Sequence, residues 1–222
     1  LDQARKAAQN ALERLLLEQN ALLDVEVNRW AERAYEAAIE QAKSGDQSYR
    51  ARDFAAAKNA YEEALSTLTN LSTSIPSRVE NLLTSVISDL ETFELDSAQA
   101  QLELLDVLAP EQEQLATLRQ RASNNSAAKQ NLESAKSAAS QARWEEAKEH
   151  ISQAVTLDPQ HQTIATQAEL IERSWQSWRF QTALSDVYLA IAQNDFKAAE
   201  RGINDAATYQ GDAVALMQAK TQ

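Results

Sequence analysis

Turn-forming residues are scarce in this sequence. Glycine and proline favour tight turns, and the 222-residue chain contains only three of each. β-Hairpins and phosphate-binding loops rely on glycine for backbone conformations that other residues rarely adopt. Alanine, leucine, glutamine and glutamate, which favour helices, are abundant instead. The sequence therefore predicts an all-α fold without a glycine-rich phosphate loop.

A pattern of four positions recurs four times along the chain. A bulky residue is followed by alanine three positions later, by a large residue four positions after that, and by Ala or Leu three positions further on. This spacing keeps the four positions on one helical face, where the alanine lets another helix approach closely. The bulky residues are Phe54, Leu95, Trp144 and Phe196, and the alanines are Ala57, Ala98, Ala147 and Ala199.

Proline follows two of the four segments. Five residues after the last position of the pattern stand Pro110 in the second segment and Pro159 in the third, with Thr69 and Gly211 in the other two. Because proline lacks a backbone N–H, we expect these two residues to end one helix or to start the next.

The four segments resemble the second helix of the tetratricopeptide repeat (TPR), including its small residues and terminal proline. The first helix of that family carries Gly or Ala twelve residues before the leading alanine. Here those positions hold Gly45, Val86, Ala135 and Val187. The resemblance implies antiparallel helical hairpins that turn near residues 45–53, 92–95, 141–144 and 193–196. It also implies that they form an irregular right-handed α-solenoid.

The period of the pattern departs from that family. Successive leading alanines lie 41, 49 and 52 residues apart, whereas the TPR period is about 34. We therefore expect long first helices, within residues 111–142 and 160–193, and short second helices. The cluster Ser123-Asn124-Asn125-Ser126 is the expected break if the first of these segments forms two helices instead of one.

A long helical extension is predicted for residues 1–37, ahead of one continuous domain of four hairpins in residues 38–222. Residues 2–43 contain neither Gly nor Pro, and one helix of about 42 residues would be about 60 Å long. Asn20 and Asp24 are the candidate positions for a break in this helix. The extension could pack back as a cap, form a homodimeric coiled coil, or connect to an upstream membrane anchor. Its expected apolar stripe is Leu12, Leu16, Leu23, Val27, Trp30 and Ala34.

Charge and composition exclude several classes of partner. The formal net charge is −12, so nucleic acids and anionic membrane surfaces are disfavoured. The absence of cysteine excludes disulfides and thiolate metal sites and is compatible with the periplasm or the cytoplasm. No apolar run approaches the roughly 20 residues of a membrane span, so we expect no membrane insertion of this segment.

Catalytic and metal-binding patterns are not recognisable. The two histidines are His150 and His161. Glu146 lies one turn before His150, an arrangement that we interpret as an exposed pair and not as a metal site. His161, which follows Pro159, is expected to be solvated. The sequence predicts no enzyme activity, no cofactor and no metal.

Two groups of residues are candidates for partner binding. No Lys or Arg occurs between Arg78 and Arg119, and the acidic residues of this interval favour a basic partner. Tryptophan and arginine, which are enriched in binding hot spots, cluster further along the chain. The candidates are Asp89, Glu91, Glu94 and Asp96 in the acidic interval, and Trp175, Trp178 and Arg179 in the aromatic cluster. The sequence therefore predicts a protein-interaction scaffold that binds a peptide or partner domain. The alternative is a structural spacer or assembly component, such as the soluble part of a membrane-anchored protein.

Overall fold

The computed structural model describes residues 2–210 and 214–221. Over these residues it contains helices and no strand, which confirms the all-α prediction. None of the described helices is both long enough and apolar enough to cross a membrane. The helices are α1 Asp2–Asp24, α2 Val27–Arg50, α3 Phe54–Thr92, α4 Leu95–Leu108, α5 Leu115–Ser140, α6 Trp144–Leu157, α7 Gln162–Ala192, α8 Phe196–Gln210 and α9 Val214–Lys220.

Helix boundaries agree with the repeated pattern. Helices α3, α4, α6 and α8 begin at the four bulky residues, Phe54, Leu95, Trp144 and Phe196. Helices α4 and α6 end at Leu108 and Leu157, shortly before the two expected prolines. Gly211, at the corresponding position of the fourth segment, lies outside the described residues.

One turn geometry recurs ahead of all four of these helices. Two residues before each helix start, a residue other than glycine adopts a left-handed conformation: Arg52 (φ 61°), Phe93 (φ 62°), Ala142 (φ 56°) and Asn194 (φ 59°). In three of the turns, the backbone amide of the residue after the left-handed one donates to a carbonyl in the last turn of the preceding helix. This hydrogen bond closes a Schellman motif. These bonds join Asp53 to Ser48, Arg143 to Ala138 and Asp195 to Ala190. Turns of two or three residues thus join these helices without glycine.

Helices α3 and α5 are each continuous. Helix α3 runs without interruption through Pro76, so the second helix of the first predicted hairpin and the first helix of the next are one element. Helix α5 is continuous across Ser123–Ser126. Asn125 in that cluster is buried and donates its side-chain amide to the carbonyl of Leu90 at 3.0 Å. Of the two alternatives for this segment, one helix or two, the structure therefore shows one, and Asn125 of the polar cluster is bonded to its surroundings.

The chain divides into two compact units. The first unit comprises residues 1–89 and 96–119, and the second comprises residues 90–95 and 120–222. Each unit has its own apolar core and is described separately below.

Helices α1, α2 and α3 share the core of the first unit. Helix α1 contributes Ala8, Ala11, Leu15 and Leu22 to this core. The expected stripe is wrong in α1, where Leu16 and Leu23 are exposed. The chain turns between α1 and α2, at the left-handed Glu26 (φ 50°), just after the candidate break Asp24. This turn resets the helical phase, so a single stripe cannot run through both helices.

Close helix approach in the first unit occurs at Gly45. This glycine lies inside α2, and a Cβ atom at this position would come within 2.6 Å of the Tyr61 ring on α3. The Tyr61 hydroxyl donates to Asp46 Oδ1 at 2.7 Å. Burial of the phenol, together with this bond to a carboxylate, raises the pKa of Tyr61.

Two apolar clusters stabilise the second unit. One joins α5, α6 and α7 and contains the buried Ala135 and Ala147. The other joins α7, α8 and α9 around Val187. In this second cluster the small residue of the close approach is Gly202, on α8. A Cβ atom at Gly202 would come within 2.7 Å of Val187 Cγ2, on α7. The leading residue Phe196 is 65% exposed and does not pack like Phe54, so the pattern does not predict burial at this position.

All the small or branched positions singled out for close packing are buried. The exposed fractions of the alanines and valines among them are between 0% and 5%, and Gly45 is buried as well. They are Gly45, Ala57, Val86, Ala98, Ala135, Ala147, Val187 and Ala199.

Candidate partner-binding site

Two tryptophans lie beside a cavity in the second unit. The ring centroids of Trp144, at the start of α6, and Trp178, in α7, are 6.4 Å apart, and the rings are inclined by 41°. The cavity has a volume of about 370 Å³ and is also lined by Arg143, Glu145 and Glu146. Trp178 is 39% exposed. Nε1 of Trp144 is buried and has no hydrogen-bond acceptor among the described residues.

The neighbouring Trp175 makes contacts within the protein. The Lys148 ammonium lies over its ring, 3.6 Å from the centroid, and the Tyr209 ring meets it edge-on at 5.8 Å. Lys148 also pairs with Glu172 at 2.9 Å. The hydrogen bond from Lys148 lowers the pKa of Glu172 more than burial raises it. Trp175 is therefore part of the structural contact between α6, α7 and α8.

Arg179 is bonded to the same tyrosine. Its Nε donates to the Tyr209 hydroxyl at 3.0 Å, and its guanidinium lies 3.9 Å from Asp205. The bond to Tyr209 is the main cause of the raised pKa of Arg179. Of the three predicted cluster residues, Trp175 and Arg179 thus meet at Tyr209, and Trp178 alone lines the cavity. Sequence reasoning missed Lys148 and Tyr209 because their contacts join separate helices.

The four predicted acidic residues differ in their surroundings. Glu94 and Asp96 are exposed. Asp89 is partly buried and accepts a bond from Gln101 Nε2 at 2.6 Å. Glu91 accepts from Arg121 at 2.8 Å and from the backbone amide of Gln162 at 2.9 Å. Glu91 therefore has structural partners within the second unit.

A buried ionic cluster surrounds Glu91. Arg121, which is 6% exposed, donates from Nε to both carboxylate oxygens of Asp158 at 3.0 Å, and Asp158 is 1% exposed. His161 is also buried, so its expected solvation is wrong. Its ring stacks on Phe93 at 4.6 Å, and Nδ1 lies 3.2 Å from Glu91 Oε2 in a direction unsuited to a hydrogen bond. Because Glu91, Arg121 and Asp158 are far apart in sequence, no local pattern could have predicted this cluster.

Metal-ligating side chains do not converge in the part of the chain that the structure describes. Residues 2–210 and 214–221 contain no group of three His, Cys, Asp or Glu residues that could hold an ion. His150 Nδ1 lies 3.3 Å from Asn131 Oδ1, and Glu146 pairs with Arg143.

Comparison with models of known families, with curated proteins and with solved structures found no match to this chain.

Proposed function

We propose that this chain is a non-catalytic protein-interaction scaffold built from TPR-like helical hairpins, with the solenoid arrangement that the resemblance implies. The recurring features of the hairpins support the repeat interpretation. Each proposed second helix begins at the bulky residue of the pattern, follows the same left-handed turn and buries its alanine. A helix pair repeated in this way suits a scaffold that presents side chains to a partner.

The cavity between Trp144 and Trp178 is the observation that supports binding. A volume of about 370 Å³ accommodates one or two side chains of a peptide. Trp178 presents part of its ring to solvent, and tryptophan is the residue most enriched among hot spots.

Charge favours a lysine- or arginine-containing peptide as the occupant. Arg143 and Glu146 at the cavity form an ion pair, which leaves the Glu145 carboxylate without an ion-pair partner among the described residues, and the chain as a whole is acidic. Within the same unit, the face of Trp175 already holds the Lys148 ammonium at 3.6 Å. A basic side chain from a partner would make the equivalent contact on Trp178, three residues along α7.

Selection from a random peptide library against the immobilised protein tests this proposal. We expect enrichment of peptides that contain Lys or Arg, with binding that weakens as salt is added. Trp178→Ala should reduce their affinity at least about tenfold, because it removes the exposed ring. Phe196→Ala, which removes another exposed aromatic residue of the same unit outside the cavity, is the matched control and should leave affinity unchanged.

Two outcomes would contradict the proposal. One is a library that yields no enriched peptide. The other is a set of peptides that bind the Trp178→Ala protein as tightly as the wild type.

A further inference from the structure

Arg78 occupies an unusual position in the first unit. It is the only Lys or Arg between Lys58 and Arg119. It is partly buried on α3 and makes no ion pair with any described residue, and its Nε is buried without an acceptor. A buried donor without a partner is destabilising, so an acceptor from outside the chain would stabilise this position.

The guanidinium is held in place by an aromatic ring. It lies over Trp30 of α2, 4.9 Å from the ring centroid. Trp30 is itself fixed, because its Nε1 donates to the carbonyl of Val25 at 2.9 Å. The planar fork of Arg78 is therefore preorganised, which lowers the entropic cost of binding an anion.

A cavity of about 400 Å³ opens beside Arg78. Ser77, Asn81 and Ser85 line it from the same helix, and Gln101 lines it from α4. The Gln101 amide is oriented by its Nε2, which donates to Asp89 at 2.6 Å and to Ser97 at 3.0 Å. Since a carboxylate only accepts, this orientation places Oε1 on the opposite side of the amide, where it is buried without a donor.

We infer that this cavity is a binding site for a small oxyanion that carries a neighbouring N–H or O–H group. The oxyanion, a carboxylate or a phosphate, would accept from the Arg78 fork, and the neighbouring donor would satisfy Gln101 Oε1. A single ligand in the cavity would contact both Arg78 and Gln101, because the two residues line it together. The serine and asparagine side chains supply further donors around the anion.

Titration followed by ¹H–¹⁵N NMR tests the inference directly, because the Nε–H group of Arg78 has its own resonance. Phosphate monoesters carry no P–OH group at about pH 8, so at that pH four probes separate the chemistries: acetate, glycolate, methyl phosphate and glycerol 3-phosphate. We expect a saturable shift of the Arg78 Nε–H signal with dissociation constants of about millimolar order. Within each class the hydroxyl-bearing probe should bind about three- to tenfold more tightly, because it also donates to Gln101. The class that binds more tightly identifies the oxyanion.

Variants complete the test. Arg78→Gln should abolish the shifts of the backbone amides of residues 74–85, and Arg33→Gln, an exposed arginine on α2, is the matched control and should preserve them. Gln101→Met should remove the advantage of the hydroxyl-bearing probes. The inference is overturned if no probe shifts the Arg78 signal in the wild type, as expected if water alone fills the cavity. It is also overturned if Arg78→Gln titrates like the wild type.

Discussion

The two units differ in how they bury polar groups. The four buried polar side chains of the described residues, Arg121, Asn125, Asp158 and His161, all belong to the second unit. The core shared by α1, α2 and α3 in the first unit is apolar. The polar group of Tyr61 in this core is its hydroxyl, which donates to the Asp46 carboxylate. A buried charge must be met by opposite charge and by hydrogen bonds, so the second unit depends on specific partners where the first depends on packing.

Arg121 and Arg78 differ in the same way, in whether carboxylates compensate their charge. Arg121 is buried and is bonded to Asp158 and Glu91, so its charge is compensated within the second unit. Arg78 is partly buried in the first unit and meets an aromatic ring but no carboxylate. Because its charge is compensated, Arg121 is a structural residue. The charge of Arg78 is not compensated by a carboxylate, so Arg78 can bind a ligand.

Replacing Arg121 with Met should have the largest effect on stability. The substitution keeps much of the side-chain volume but leaves Asp158 and Glu91 without their cation, so we expect a loss of about 3–5 kcal/mol in the free energy of unfolding. Urea denaturation measures the loss, and hydrogen exchange should place the loss of protection in α5, α6 and the start of α7.

A compensating variant sharpens this test. Adding Glu91→Gln and Asp158→Asn to Arg121→Met removes the two uncompensated charges and should recover part of the stability. A triple variant that is less stable than Arg121→Met would show that the carboxylates have other essential roles.

Tyr61→Phe should have an intermediate effect in the first unit. Loss of the bond to the Asp46 carboxylate should cost about 1.5–3 kcal/mol at neutral pH. The raised pKa of Tyr61 means that the folded protein retains the phenol proton more strongly than the unfolded chain does. The associated stability is complete below about pH 10, the usual pKa of tyrosine, and is lost as the pH rises above it.

Urea denaturation between pH 8 and pH 11 measures both effects of Tyr61. The wild type should lose stability more steeply than Tyr61→Phe above about pH 10. Parallel curves would indicate that another group controls the alkaline transition.

Local sequence determined much of the fold but less of the site. The starts of α3, α4, α6 and α8 were predictable because each depends on a helical face of 3.6-residue period and on a short turn. The continuity of α3 through Pro76 could not be predicted, because it depends on tertiary packing and not on the neighbouring residues in the sequence. Trp178 could be identified by residue type, whereas its partner Trp144 and the unpaired state of Arg78 depend on contacts between helices.

Arg78→Met should have the smallest effect on stability, and it makes the matched comparison with Arg121→Met. The substitution removes a cation–π contact worth about 0.5–1 kcal/mol. It also removes the unsatisfied Nε donor, and the methionine sulfur can pack on Trp30 in place of the guanidinium. These terms oppose each other, so we expect the free energy of unfolding to change by less than about 0.5 kcal/mol. Oxyanion binding should nevertheless be lost. A destabilisation as large as that of Arg121→Met would instead mean that Arg78 stabilises the first unit.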